Sequence, residues 1–240
     1  MRTVVVTGAA TGIGRATAEA FHRAGDRVVL IGRRPDVLAQ SVADLGDPAR
    51  GLSVDATDPE QIEAALPQLP DQVDVLVNNA GGNTDFDRSP AGTLAETAAA
   101  WRANLEANLL SAVLVTTALH GRLAPGGAVI NLGSIAADKG AGGYGAAKAG
   151  LASWTVDLAR RLGPHDITVN TLAPGYVADT EFFRDELTDE RRTMLIESAF
   201  TRRPSRPSDI AGTAVFLAGP AARQITGQVV AVNGGERTTR

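Results

Sequence analysis

The 240-residue sequence predicts one α/β domain, a doubly wound parallel sheet of about seven strands with helices on both faces. Three observations carry this. Short β-branched runs alternate with longer stretches of helical periodicity down the chain. Several runs, Val4-Val5-Val6 first among them, are apolar throughout, as strands covered on both faces must be. No fixed-period repeat, low-complexity tract or Pro/Ser linker divides the chain, so residues 1–240 read as a single domain.

The expected strands are 3–7, 27–31, 51–54, 73–77, 128–132, 167–171 and 229–232. Between the first two, Ile13, Ala16, Thr17, Ala20 and Phe21 mark one helix face, and Gly25 its stop. Farther on, Tyr144, Ala147, Lys148, Leu151, Thr155, Leu158 and Ala159 mark another. Two stretches break the rhythm. Residues 81–93 form a Gly/Asn/Asp-rich loop, and 174–207 carry Phe182, Phe183, Met194, Leu195 and Phe200 among charges. Insertions after a strand's carboxyl end build lids in open α/β sheets, so 176–206 reads as a substrate lid, with plain surface helices as the alternative.

Composition narrows the function classes. Hydrophobic residues at 44% and charged residues at 21% belong to ordinary globular packing. Aromatics at 4% offer no stacking surface, and a net charge of −4 argues against a nucleic-acid partner. Zero cysteines exclude disulfides, thiolate metal sites and cysteine nucleophiles, while His22, His120 and His165 lack metal-ligand spacing. Val4–Val6 is too short for a signal-peptide core, and no 18-residue apolar run suits a membrane span. A cytoplasmic protein without membrane partners is expected.

Thr7-Gly8-Ala9-Ala10-Thr11-Gly12-Ile13-Gly14 joins the first strand to the first helix. A pyrophosphate must approach backbone N–H groups at a helix N-terminus, and glycines at 8, 12 and 14 remove the Cβ atoms that would block it. Plain turn glycines are the alternative. The second strand then ends Gly32-Arg33-Arg34, with no carboxylate for a ribose 2′-hydroxyl. Arg33 offers a planar fork for a 2′-phosphate and Arg34 adds charge, which favours NADP(H) over NAD(H) unless both are solvated turn residues. Asp55 in Val54-Asp55-Ala56-Thr57 is positioned to accept from an adenine amino group, or else caps a helix, a task Thr57 or Asp58 could also perform. Asn78-Asn79-Ala80-Gly81 ends the fourth strand at the edge where such ligands lie.

Tyr144 and Lys148 stand at i and i+4, on one helix face. With two tyrosines and two lysines in the chain, such a pair arises by accident about 0.02 times. A nearby ammonium is expected to lower a phenol's pKa by ~1–3 units, towards the value wanted for proton exchange with a carbonyl. Ser134, at the end of Ile130-Asn131-Leu132-Gly133-Ser134, could polarise that carbonyl.

Together these residues resemble the short-chain dehydrogenase/reductase family over essentially the whole chain. The resemblance rests on Gly8/Gly12/Gly14, Asp55, Asn78-Asn79-Ala80-Gly81, Ser134, Tyr144, Lys148, Asn170, Pro174-Gly175, Thr226-Gly227-Gln228 and Asn233-Gly234-Gly235. It implies a Rossmann-like fold and hydride transfer between nicotinamide and a carbonyl or alcohol carbon. Tyr144 would be the general acid in reduction, with Lys148 on the nicotinamide ribose and Ser134 orienting the substrate oxygen. Asn108, seven residues after Trp101, would hold a relay water and is preferred to Asn104. Cofactor contacts would come from Gly8, Thr11, Gly12, Ile13, Gly14, Arg33, Arg34, Asp55, Ala56, Asn79, Ala80, Gly81, Tyr144, Lys148, Pro174, Gly175, Val177 and Thr180. A homotetramer or homodimer would form through long helices near 91–119 and 144–162.

The chain also departs from the family. Tyr144 follows Ser134 by only ten positions, leaving a shortened, glycine-rich loop over 135–143. The family threonine after Pro174-Gly175 falls slightly before Thr180, so one inserted residue, Asp179, must be absorbed. Thr11 stands where one NADP-preferring subgroup has a basic residue. The most similar group by pattern is the 3-oxoacyl-carrier-protein reductases, yet Ala128 and His165 stand where that group is expected to have basic residues, leaving Arg202, Arg203 and Arg206 as substitutes. The leading reading is an NADP(H)-dependent reductase of a small carbonyl substrate. The alternatives are an NAD-dependent alcohol dehydrogenase and a non-catalytic nucleotide sensor.

Overall fold

A computed structural model describes residues 1–89, 92–184 and 187–238. The elements run β1 (Thr3–Thr7), α1 (Gly12–Arg23), β2 (Arg27–Gly32), α2 (Pro35–Leu45), β3 (Arg50–Ser53), α3 (Pro59–Ala65), β4 (Val73–Asn78), α4 (Leu94–Leu105), α5 (Ser111–Leu119) and β5 (Leu123–Leu132). The second half adds α6 (Ala136–Lys139), α7 (Gly142–Leu162), β6 (Thr168–Pro174), α8 (Asp189–Ser198), α9 (Pro207–Leu217) and β7 (Val229–Val232). Seven strands form one parallel sheet in the order β3-β2-β1-β4-β5-β6-β7.

The apolar strands are what a two-faced sheet requires. Val4, Val5 and Val6 are fully buried, yet Val4 and Val6 point into one core and Val5 into the other. The first core joins Phe21 of α1 to Ile210 and Leu217 of α9. The second joins Leu119 of α5 to Leu158 and Leu162 of α7. Because all strands are parallel, their carboxyl ends share one edge, and the order reverses between β1 and β4. That switch point is where an open α/β sheet leaves its crevice.

Several boundaries move. β3 is Arg50–Ser53, one residue earlier than expected, and β6 extends to Pro174, which pairs with Val232. β5 begins at Leu123, because Leu123 pairs with Val73 and a register shift absorbs the glycines before Ala128. The long helix expected near 91–119 is present as an unbroken helical run over 94–119, and Ala91 lies outside the described residues. A π turn at Glu106–Leu110 separates α4 from α5. Local side chains suit this wider turn: Ser111 Oγ donates to Ala107 O, and Asn108 Nδ2 to Asn104 O. No helix among the described residues is long and apolar enough to cross a membrane.

Candidate active site

A cleft of about 1300 Å³ opens over the carboxyl edge, bounded by the glycine loop, the ends of β2 to β6, and the segment after β6. At its floor, the three loop glycines serve different ends. A Cβ on Gly14 would stand 2.2 Å from Gly8 O, and one on Gly8 2.9 Å from Ala80 Cα, so both are required by packing of α1 and β4. The expectation that all three clear a path for phosphate is thereby corrected. Only Gly12, with φ +56, faces open space, where a Cβ would come no nearer than 3.7 Å to Thr180 Cγ2.

The helix end beyond is built for an anion. Thr11 holds the N-cap position of α1, but its hydroxyl accepts from Arg34 Nη2 at 3.2 Å and does not cap the helix. No acidic side chain occupies the first turn. In contrast, Asp58, Thr93 and Thr188 cap α3, α4 and α8. The N–H groups of Gly12, Ile13 and Gly14 therefore have no side-chain cap among the described residues, and the helix dipole adds its positive end. This cradle fits a dinucleotide pyrophosphate.

The loop is braced from β4. Asn79 Nδ2 donates to Thr7 O and Gly8 O, both at 3.0 Å, and Asn79 N and Ala80 N donate to Thr7 Oγ1. Asn79 is thus a brace, and Ala80 and Gly81 line the cleft. At the end of β2, Arg33 is 75% exposed, its guanidinium 3.9 Å from Asp55 Oδ2. Asp55 does not cap α3; its Oδ1 accepts from Thr57 N and Oγ1, and Asp58 is the cap. Ala56 lines the same corner. Arg34 bridges Thr11 and Glu181 of the lid.

At the other end, Tyr144 lies in the first turn of α7 and Lys148 follows one turn on, its Nζ 5.8 Å from the phenol ring centroid. Lys148 is buried and donates to Leu132 O at 2.7 Å. Burial pushes the Lys148 ammonium down to about 8, and pushes the Tyr144 phenol up to about 12 against a smaller opposing pull from the Ser134 side chain. The expected lowering of Tyr144 by its cation is corrected: in the protein alone, desolvation dominates and outweighs the Ser134 hydrogen bond. Ser134 Oγ accepts from Ala136 N, starting the single turn of α6. Gly140 and Gly142, with φ +74 and +54, then close the nine-residue stretch 135–143. Its shortness is accommodated without moving Ser134 or Tyr144 from the cleft.

Asn108 differs from expectation. It is buried in the π turn, where Nδ2 donates to Gly82 O and Asn104 O, and Oδ1 accepts from Gly82 N. Both of its amide N–H groups are thus spent on main-chain carbonyls. Asn104 holds the same loop through Thr84 N and Asp85.

After β6, Pro174, Gly175 and Val177 line the cleft. Asp179 adopts φ +57, absorbing the inserted residue and turning Thr180 over Gly12. The lid then folds inward. Phe182 meets Tyr144 at a centroid distance of 5.6 Å, and Arg184 pairs with Asp87 across the cleft. Of the lid, residues 185 and 186 lie outside the described residues.

Sequence reasoning missed two features. Phe86, from the loop after β4, meets Phe182 and Phe183 at 5.8 and 5.9 Å. Glu236, with its side chain only 2% exposed, enters the cleft from the C-terminal segment and pairs with Lys139 of α6. A Cβ on Gly175 would stand 2.8 Å from Glu236 Oε2, which explains that glycine. The positions considered for carrier docking lie elsewhere: Ala128 is buried in β5, and His165 precedes β6 at the far edge of the sheet. Arg203 pairs with Asp209 of α9.

Comparison with known proteins agrees with this architecture. The family model described as enoyl-(acyl carrier protein) reductase matches residues 8–236. The 3-oxoacyl-(acyl-carrier-protein) reductase of Vibrio cholerae serotype O1 is 37% identical over 242 aligned positions, covering 98% of this chain and 96% of that protein. A short-chain dehydrogenase/reductase from Brucella melitensis, titled a glucose/ribitol dehydrogenase, superposes with a TM-score of 0.89 at 32% identity, over 99% and 97% of the two chains. A blue fluorescent protein from a metagenomic library, solved in complex with NADPH, gives 0.86 at 32% identity, over 99% and 98%. The chain belongs to the short-chain dehydrogenase/reductase family, as an NAD(P)-dependent oxidoreductase that resembles the 3-oxoacyl-(acyl-carrier-protein) reductases.

Proposed function

We propose that this protein is an NADP(H)-dependent reductase that interconverts a ketone and a secondary alcohol, with Tyr144 as its general acid. The observation that carries the reading is the buried Tyr144–Lys148 pair beside Ser134, in the cleft that begins at the uncapped end of α1. The nicotinamide cofactor would supply the hydride. Gly12, Ile13 and Gly14 would hold its pyrophosphate, and Arg33, beside Arg34, its 2′-phosphate.

Ser134 Oγ would donate to the substrate carbonyl oxygen and hold it in line with Tyr144 Oη. Tyr144 keeps its proton at neutral pH, being pushed up to about 12, so it enters the reaction as an acid. As charge develops on the substrate oxygen, that proton moves across. Lys148, fixed by Leu132 O, would stabilise the phenolate left behind and bind the nicotinamide ribose. The π turn carrying Asn108 would hold a relay water by its main chain, and Thr180 would close over the cofactor. A cytoplasmic setting and a homotetramer or homodimer complete the reading. Support for assembly comes from exposed Leu105, Leu110 and Val156 on α4, the π turn and α7.

Tyr144→Phe tests the mechanism. Ketone-dependent NADPH oxidation should fall by about 10²–10⁴-fold while NADPH binding, read by fluorescence titration, persists. Unchanged turnover would remove Tyr144 from the reaction, and loss of binding alone would favour a structural role. NADH binding equal to or tighter than NADPH would favour an NAD-dependent alcohol dehydrogenase.

A further inference from the structure

The chain is poor in aromatics, with six Phe and two Tyr in 240 residues, yet three of those Phe and both Tyr meet at one wall of the cleft. Phe182 is the hub. It lies 5.6 Å from the Tyr144 ring, 5.8 Å from Phe86 at 88°, and 5.0 Å from Phe183 at 85°. Phe183 continues to Tyr176 at 5.9 Å. These rings come from three separate segments, the loop after β4, the start of α7 and the lid. Edge-to-face pairs at such distances are the favoured aromatic geometry. The space beside the reacting phenol is therefore one that a flat apolar ring already fills.

The charges around this wall are largely matched. Arg184 forks onto both oxygens of Asp87 at 3.1 Å, Arg34 pairs with Glu181 at 2.9 Å, and Lys139 pairs with Glu236. Arg191 lies over the outer face of Phe183, 5.7 Å from its centroid. Apart from Arg191, whose guanidinium faces a ring, an anionic substrate group would meet these cations only by breaking a pair, at the cost of leaving a carboxylate unmatched. A neutral ring needs only to displace Phe182.

We propose that the substrate is a neutral aryl ketone, its ring replacing Phe182 against Tyr144 and resting within the wall formed by Phe86 and Phe183. The inference rests on the reductase reading and narrows its substrate class. In the step itself, the carbonyl carbon gains hydride from the reduced cofactor and the carbonyl oxygen gains the Tyr144 proton. One ketone and one reduced cofactor become one secondary alcohol and one oxidised cofactor, and Tyr144 recovers its proton from water.

The test compares three ketones with NADPH: 1-phenylethanone, its saturated counterpart cyclohexyl methyl ketone, and a 3-oxobutanoyl thioester that mimics a carrier-bound substrate. Phe86→Leu keeps an apolar side chain and removes one ring of the wall that would receive the substrate. The wild type should favour the aryl ketone over the cyclohexyl one by about two- to tenfold in kcat/KM, the range of an aromatic pair, and Phe86→Leu should shrink that preference. Preference for the thioester, equal use of the two ring ketones, or a preference unchanged in Phe86→Leu would overturn the proposal. Calorimetry of 1-phenylethanone on the enzyme loaded with oxidised cofactor, where no turnover occurs, separates the two readings. Aryl binding that weakens in Phe86→Leu, without reduction, upholds the ring site and sinks the reductase. Thioester reduction without aryl binding does the reverse.

Discussion

Lys148 and Tyr144 show how one burial acts on two groups in opposite chemical senses. Removing water disfavours the charged form of each, so the lysine loses its proton more readily and the tyrosine less. The pH consequences differ in sign. Lys148, ordinarily near 10.5 and here about 8, carries its charge below pH 8 and loses it as pH rises. Tyr144 does not titrate in that window, since it is held at about 12. If the Lys148 charge is needed, kcat/KM for NADPH should be flat up to about pH 8 and then fall towards tenfold per unit. A profile flat to pH 10 would remove that requirement. Arg33 is the opposite kind of residue, exposed and lightly paired with Asp55. Arg33→Ala should weaken NADPH binding by roughly 10–150-fold, the worth of a charge-assisted phosphate contact, and leave NADH binding within about twofold. Equal losses for both cofactors would make it a general binding residue. The arginine pair and the tyrosine–lysine pair were legible in the sequence because spacing alone sets them on one turn or one face. The direction of the tyrosine shift was not, because burial depends on Phe182 and other residues distant in sequence.

Among the elements, the shortened loop between Ser134 and Tyr144 raises a question of support. Cβ atoms added at Gly140 and Gly142 would meet nothing within 4 Å, so the loop's end is not packed there. Its hold comes from the C-terminal segment. Lys139 pairs with the buried Glu236, and Asp138 lies 3.7 Å from Arg237. Asn233 shapes that segment by accepting from Gly235 N and donating to Arg237 O. Glu236→Gln and Lys139→Met should each lower kcat severalfold with NADPH affinity kept. The double variant should be little worse than either, a coupling of about 1 kcal/mol in a double-mutant cycle. Additive losses would show that the two side chains act separately. The glycine pattern of the loop was readable, and so was the Asp179 insertion that becomes a left-handed turn. The π turn was not, because a single wider turn barely disturbs the periodicity of α4 and α5, and the Asn108–Gly82 contact beside it joins residues distant in sequence. β5 was read too short for a similar reason: Pro125-Gly126-Gly127 looks like a turn, yet the strand continues through it to reach Val73.

At the scale of the whole molecule, the sheet supplies the cleft on one edge and two helical layers on its faces, and one layer leaves an apolar strip exposed. Leu105, Leu110 and Val113 of α4, the π turn and α5 form a shallow groove with Trp154 of α7. Leu110 is 42% exposed, and Val156 beside this face 45%. An apolar strip of this kind, bordered by Arg102 and Glu106, is where a second copy gains most by burying surface. A closed assembly needs a self-complementary patch, and a helical face packed on its own symmetry mate is the simplest one. The wild type should therefore run as a dimer or tetramer in light scattering, while Leu110→Glu, which buries a carboxylate at the joint, should shift it towards monomer at micromolar concentration. Because α7 also carries Tyr144 and Lys148, and the π turn carries Asn108, loosening this face should reach the site. Monomeric Leu110→Glu should lose thermal stability and turnover together. If Leu110→Glu stays oligomeric, the joint lies elsewhere; if the wild type is already monomeric, the strip has no role in self-association.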